Sequence, residues 1–126
     1  MRVMKSGSYK LKIRKVILRI KRLDPGLTYQ SLAKKIGVEP SYLSRFLGDS
    51  DVHFSDELLY RLLSALSLSW SEMDMIFLLK EYDRSSNPER KSFLLMRIRL
   101  GRVQRWKKLL NEMRVELKHI TDILDR

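Results

Sequence analysis

The sequence predicts an all-α fold, and three observations carry that reading. Apolar residues recur at three- and four-residue spacing along most of the 126 residues, the period of a helical face. No stretch alternates apolar and polar residues as a half-buried strand does. The breaks between periodic segments carry helix punctuation: Asp24-Pro25-Gly26, Gly37, Gly48 and Asn87-Pro88. With 44% apolar residues, only 5 Gly and 3 Pro, the chain can bury a core rather than remain disordered.

The first helix is expected to start near Ser8. Ile13, Val16, Ile17, Ile20 and Leu23 share one face, while Arg14, Lys15, Arg19, Lys21 and Arg22 occupy the other; Leu18 alone falls on the basic side. Asp24-Pro25-Gly26 ends this helix, because proline disfavours a helical residue before it. Thr28 then caps a short helix to Ile36, with Leu32, Ala33 and Ile36 inward, and Gly37 stands where a left-handed residue ends a helix. Val38 is expected to be buried. Pro40 suits the first turn of another short helix that places Leu43 and either Phe46 or Leu47 inward and stops at Gly48. Two short helices joined by a tight glycine turn, with a small alanine where the backbones approach, describe a helix-turn-helix.

Ser55 caps the next helix, which has Asp56 and Glu57 in its first turn and draws its buried side from Leu58, Leu59, Leu62, Leu63 and Leu66. Ser69-Trp70-Ser71-Glu72 matches a capping box, opening a helix from Trp70 to about Asp83. Its buried edge is drawn from Met73, Ile76, Phe77 and Leu79 or Lys80. After the linker-like Arg84-Ser85-Ser86, Asn87 and Pro88 open a long helical region expected to kink or break at Gly101. The organisation expected is therefore residues 1–83 as one domain and 84–126 as a helical extension.

Charge gives the first indication of function. The chain holds 26 Lys and Arg against 15 Asp and Glu, a net +11. Residues 1–24 carry +8, 25–50 carry +1, 51–87 carry −4 and 88–126 carry +6. Two basic ends around an acidic middle favour a polyanionic partner without naming it.

The string from Leu27 to Gly48 resembles the bacterial and phage repressors of the lambda-repressor or Xre type. Thr28, Leu32-Ala33, Gly37-Val38, Leu43-Ser44 and Gly48 fall in that family's register, and Leu62 to Ser69 is similar to its fourth helix and exit; the resemblance spans about residues 16–73. It implies a five-helix helix-turn-helix domain whose second short helix enters the major groove of double-stranded DNA. By that resemblance Pro40, Ser41 and Arg45 face bases, with Tyr42 and Ser44 beside them. Thr28 and Tyr29 take phosphate-contacting positions, with Lys34, Lys35 and Lys21 adding charge. Trp70 to Arg97 is more faintly similar to bacterial proteins in which such a domain precedes one of unknown function. Glu39 and Pro40 stand where relatives carry small polar or amide residues. Gly48-Asp49-Ser50-Asp51 is acidic where relatives often place Lys or Arg, and a carboxylate there opposes the phosphate backbone.

At the C-terminal end Val103, Trp106, Leu110, Met113, Leu117, Ile120 and Leu124 alternate spacings of three and four, a seam that Leu109 and Ile123 widen. A parallel two-stranded coil would set Arg102 against Lys107 of its mate with no opposite-charge pair, so an antiparallel or bundle-like homodimer is expected, or packing onto the protein's own helices.

Nothing in the sequence points to catalysis or a cofactor. With zero cysteines there is no thiolate metal site, disulfide or thiol nucleophile. His53 and His119 have no ligand-like spacing, Asp49 and Asp51 read as solvated loop acids rather than a metal pair, and no phosphate loop or nucleophile elbow occurs. No apolar run approaches the roughly 20 residues that span a bilayer, and no export signal is seen, so a cytoplasmic protein of bacterial or phage type is expected. The expectation is a DNA-binding transcription regulator without enzymatic activity. Two alternatives stand beside it: a protein-interaction module on the same fold, and non-specific nucleic-acid binding through the basic ends.

Overall fold

Capped, amphipathic segments fold into six helices in this computed structural model, which describes residues 8–48 and 50–125. They are α1 (Ser8–Leu23), α2 (Tyr29–Ile36), α3 (Pro40–Leu47), α4 (Asp56–Ala65), α5 (Trp70–Arg84) and α6 (Pro88–Leu124), with no strand among the described residues. The helix-starting residues act as expected. Thr28, Ser55, Ser69 and Asn87 each accept a hydrogen bond from the backbone N–H three residues on, meeting one of the donors a helix start leaves unpaired. Only at Thr28 is the capping box reciprocal, through Ser31. At Ser69 it is half-formed: the Glu72 carboxylate pairs instead with Arg19 at 3.5 Å and Arg105 at 4.0 Å.

One core joins all six helices. Ile13, Val16 and Ile17 of α1 meet Leu32, Ala33 and Ile36 of α2, Leu43, Phe46 and Leu47 of α3, Leu59, Leu62 and Leu63 of α4, and Met73, Ile76, Leu78 and Leu79 of α5. Phe46 and Leu47 are both inward. Phe54, from the loop before α4, stacks on Phe46 with ring centroids 3.9 Å apart, tying that loop to α3. Leu94 and Ile98 of α6 complete the same core, so the packed unit continues past the linker at residues 84–86 and into the first three turns of α6.

Several expectations need correction. Leu23 is 87% exposed rather than inward; it is the last residue of α1, where the chain turns away through Asp24–Gly26 and no helix covers it. Val38 is half-buried, packed at the edge of the core. α6 runs unbroken through Gly101. A Cβ on Gly101 would lie 3.0 Å from the end of Met75, so the missing side chain serves the approach of α6 to α5 rather than a break. The C-terminal seam is not packed onto the protein's own helices: Val103, Trp106, Leu110, Met113, Leu117, Ile120 and Leu124 are all exposed. No described helix is long and apolar enough to cross a membrane.

Candidate nucleic-acid interface

The geometry of the site begins at Gly37. Its φ of +79° is left-handed, a conformation that costs an L side chain roughly 1–2 kcal/mol. It lets the N–H groups of Gly37 and Val38 both donate to the Ala33 carbonyl, at 2.9 and 3.0 Å. Three residues, Gly37 to Glu39, thus separate α2 from α3. With Leu32, Ala33 and Ile36 locked against Leu43, Phe46 and Leu47, the opposite face of α3 is turned to solvent.

That face carries Ser41, Ser44 and Arg45, all exposed, at the i, i+3, i+4 spacing of one helical stripe. Pro40 is exposed at the first helical position. Tyr42 differs: it is half-buried against Phe54, ring centroids 5.3 Å apart, and the Arg45 guanidinium lies over its ring at 5.8 Å. Tyr42 thus packs on the loop before α4 on one side and lies beneath Arg45 on the other. At the start of α2, Thr28 and Tyr29 are exposed and share a shallow groove with Arg14, Leu18 and Lys21 of α1. Lys21 thus joins Thr28 and Tyr29. Lys34 and Lys35 are exposed at the other end of α2 and do not line that groove. Thr28 Oγ1 is already engaged as acceptor for Ser31 N–H at 3.0 Å, which leaves its hydroxyl proton free to donate.

What the sequence did not reveal is how α1 supports α3. The Arg14 guanidinium donates to the Leu47 carbonyl at 2.7 Å, and the ammonium of buried Lys10 donates to the Ser50 and Val52 carbonyls at 3.0 and 2.5 Å. Arg14 acts where α3 ends and its carbonyls carry partial negative charge, and Lys10 ties down the loop that follows. The Ser50 hydroxyl adds a short bond to the Arg45 carbonyl. Similarly, buried Lys80 holds the start of α4, donating to the Phe54 carbonyl and the Asp56 carboxylate, both at 2.7 Å. Lys10 sits three residues before Ile13 and seven before Ile17, on the flank of the apolar stripe; that spacing is the one sequence signal that could have marked it.

The loop between α3 and α4 carries the acidic residues. Asp51 is exposed; Asp49 lies outside the described residues. Within the loop the Tyr9 hydroxyl and His53 Nδ1 are 2.6 Å apart. Burial, with the nearby cations Arg84, Lys10 and Lys80, holds His53 below the usual histidine range, and the tautomer of the imidazole sets which of the pair donates. Burial in turn pushes the Tyr9 hydroxyl up to about 12, which keeps it protonated at any physiological pH. His119 is exposed on α6. No group of three or more metal-ligating side chains occurs among the described residues.

Residues 18–73 match the Helix-turn-helix family. The matched segment contains the whole α2–turn–α3 unit together with α4. No curated protein and no solved structure matches the chain significantly.

Proposed function

We propose that this protein is a sequence-specific DNA-binding transcription regulator that inserts α3 into the major groove and acts as a dimer. The observation that carries the reading is the exposed stripe Ser41, Ser44 and Arg45 on the second helix of a rigid helix-turn-helix. Arg45 is its principal reader: a guanidinium bonds bidentately to guanine O6 and N7, and the Tyr42 ring beneath restricts where it points. Ser41 and Ser44 flank it, and Pro40 lets the helix start abut the bases without an unpaired N–H. Thr28 and Tyr29 lie at the start of α2, where free backbone N–H groups favour a phosphate, and Lys21 of α1 lines the same groove. Lys34 and Lys35 add charge farther along the backbone path.

The reading domain, expected over residues 1–83, takes in the first turns of α6 as far as Ile98, and the arm beyond brings two copies together through the seam Val103, Trp106, Leu110, Met113, Leu117, Ile120 and Leu124. An exposed apolar stripe of this length marks an interaction surface, and two-fold pairing matches the reading of two half-sites.

The test contrasts two substitutions on a duplex selected by the wild-type protein. Arg45→Ala is expected to cost about 1–3 kcal/mol and to relax preference at one base pair. Lys34→Ala is expected to weaken all duplexes alike and to reduce the salt slope by roughly one unit. Folded variants that leave both preference and salt slope unchanged contradict the groove-binding reading.

A further inference from the structure

Past Ile98, the last buried residue of α6, the helix continues as an arm that touches α5 at Gly101 and Arg105, and a groove of about 700 Å³ opens between it and α1 above α5. The floor is apolar, formed by Val16, Met75, Ile76 and Leu79. The walls are cationic, with Lys12 and Arg19 from α1 and Arg102, Arg105 and Lys108 from α6. Asp74, Glu112 and Glu72 also line it, and Glu72 already serves both Arg19 and Arg105. Lys12 is held below the usual lysine range, first by burial and then by Arg105, Arg19 and Arg102, with Glu72 only partly offsetting them. The groove therefore asks for an occupant that is both apolar and acidic.

The arm has two unlike halves. Residues 102–111 carry +4; residues 112–125 carry −2 and present exposed Leu117, Ile120, Ile123 and Leu124. The partial negative charge of a helix C-terminus adds to the second half. We propose that the occupant of the groove is the acidic, apolar end of α6 from a second copy of this chain, so that two α6 helices pair antiparallel about a two-fold axis near Met113. This rests on the dimer reading above and fixes its orientation. In the antiparallel pair the −2 half of each arm lies beside the +4 half of the other, twice over by symmetry. A parallel pair stacks +4 on +4, and like charges facing across an interface select against that arrangement. The seam's own spacing is compatible with either direction, so charge decides.

Sedimentation equilibrium of the full chain tests this with two charge-reversing pairs at exposed positions, Arg102→Glu with Lys108→Glu and Asp122→Lys with Asp125→Lys. Each pair alone is expected to raise the dimer dissociation constant by about tenfold or more at low salt. The quadruple variant, whose halves carry 0 and +2, is expected to dimerise more weakly than the wild type but more tightly than Asp122→Lys with Asp125→Lys alone, whose halves carry +4 and +2. Independently of any variant, added salt is expected to weaken the wild-type dimer, whereas a parallel dimer would tighten as its repulsion is screened. Equal dimerisation of all four proteins, or a dimer that tightens with salt, overturns the antiparallel assignment while leaving the dimer reading intact. A wild type that is monomeric removes the dimer reading and this orientation with it.

Discussion

Lys10, Arg14 and Lys80 contribute to the +11 surplus, yet each donates to a main-chain carbonyl inside the protein. A charge count cannot separate such cations from Lys21, Lys34 or Arg45, which face solvent, because both kinds occupy helical positions beside an apolar stripe. What distinguishes them is the element that packs opposite, and that is a tertiary fact. Arg45 was singled out by the family resemblance, and it stands exposed on α3; the support of that helix and its exit by Arg14 and Lys10 was not legible. Tyr9 and His53, 44 positions apart, were equally invisible to local spacing. Their contact gives a pH dependence with a definite sign. His53 has a lower pKa in the folded state than its ordinary 6.5, so the unfolded chain binds the proton more readily. The stabilisation is complete above pH 6.5 and is lost as pH falls through the folded-state value. Urea unfolding of the wild type should show its midpoint falling below pH 6.5, with a smaller fall for His53→Gln; identical profiles would exclude His53 as the titrating group.

The helices themselves were readable from caps and periodicity, and Thr28, Ser55, Ser69 and Asn87 all stand at helix starts. Gly101 was misread for a physical reason: glycine weakens a helix and also permits close packing, and sequence alone does not say which role applies. Two glycine substitutions separate these roles. At Gly37 a Cβ would meet nothing within 4 Å, but φ is +79°, so Gly37→Ala should destabilise by about 1 kcal/mol through backbone strain. At Gly101 the conformation is helical and the close neighbour is the flexible end of Met75. Gly101→Ala should therefore stabilise by roughly 0.5 kcal/mol, most of the helix-propensity gain surviving a small methionine shift. Thermal or urea unfolding reads both signs; destabilisation at Gly101 would mean that α5 and α6 cannot yield there.

For the whole molecule, the heptad seam was visible in the sequence, but not whether the chain's own helices cover it. The answer depends on how far the core reaches along α6. It ends at Ile98, leaving Trp106, Leu110, Met113 and Leu117 between 56% and 65% exposed. Since that stripe lies outside the core, Leu110→Asp with Leu117→Asp should convert a dimer into a folded monomer without changing the unfolding midpoint of the N-terminal helices. Affinity for a duplex with two half-sites should fall far more than for a single half-site, because the two α3 helices are no longer linked. Loss of folding in the double variant would instead place the stripe in the monomer's own stability.

Selection of bound duplexes from a random pool, followed by sequencing, tests the central claim most directly. A dimer reading DNA through two α3 helices predicts an enriched inverted repeat, with half-sites spaced by whole helical turns of about 10 base pairs and a guanine at the position that Arg45→Ala relaxes. Retention without any enriched motif would reduce the protein to a non-specific polyanion binder, and no retention at all would contradict DNA binding by this helix-turn-helix altogether.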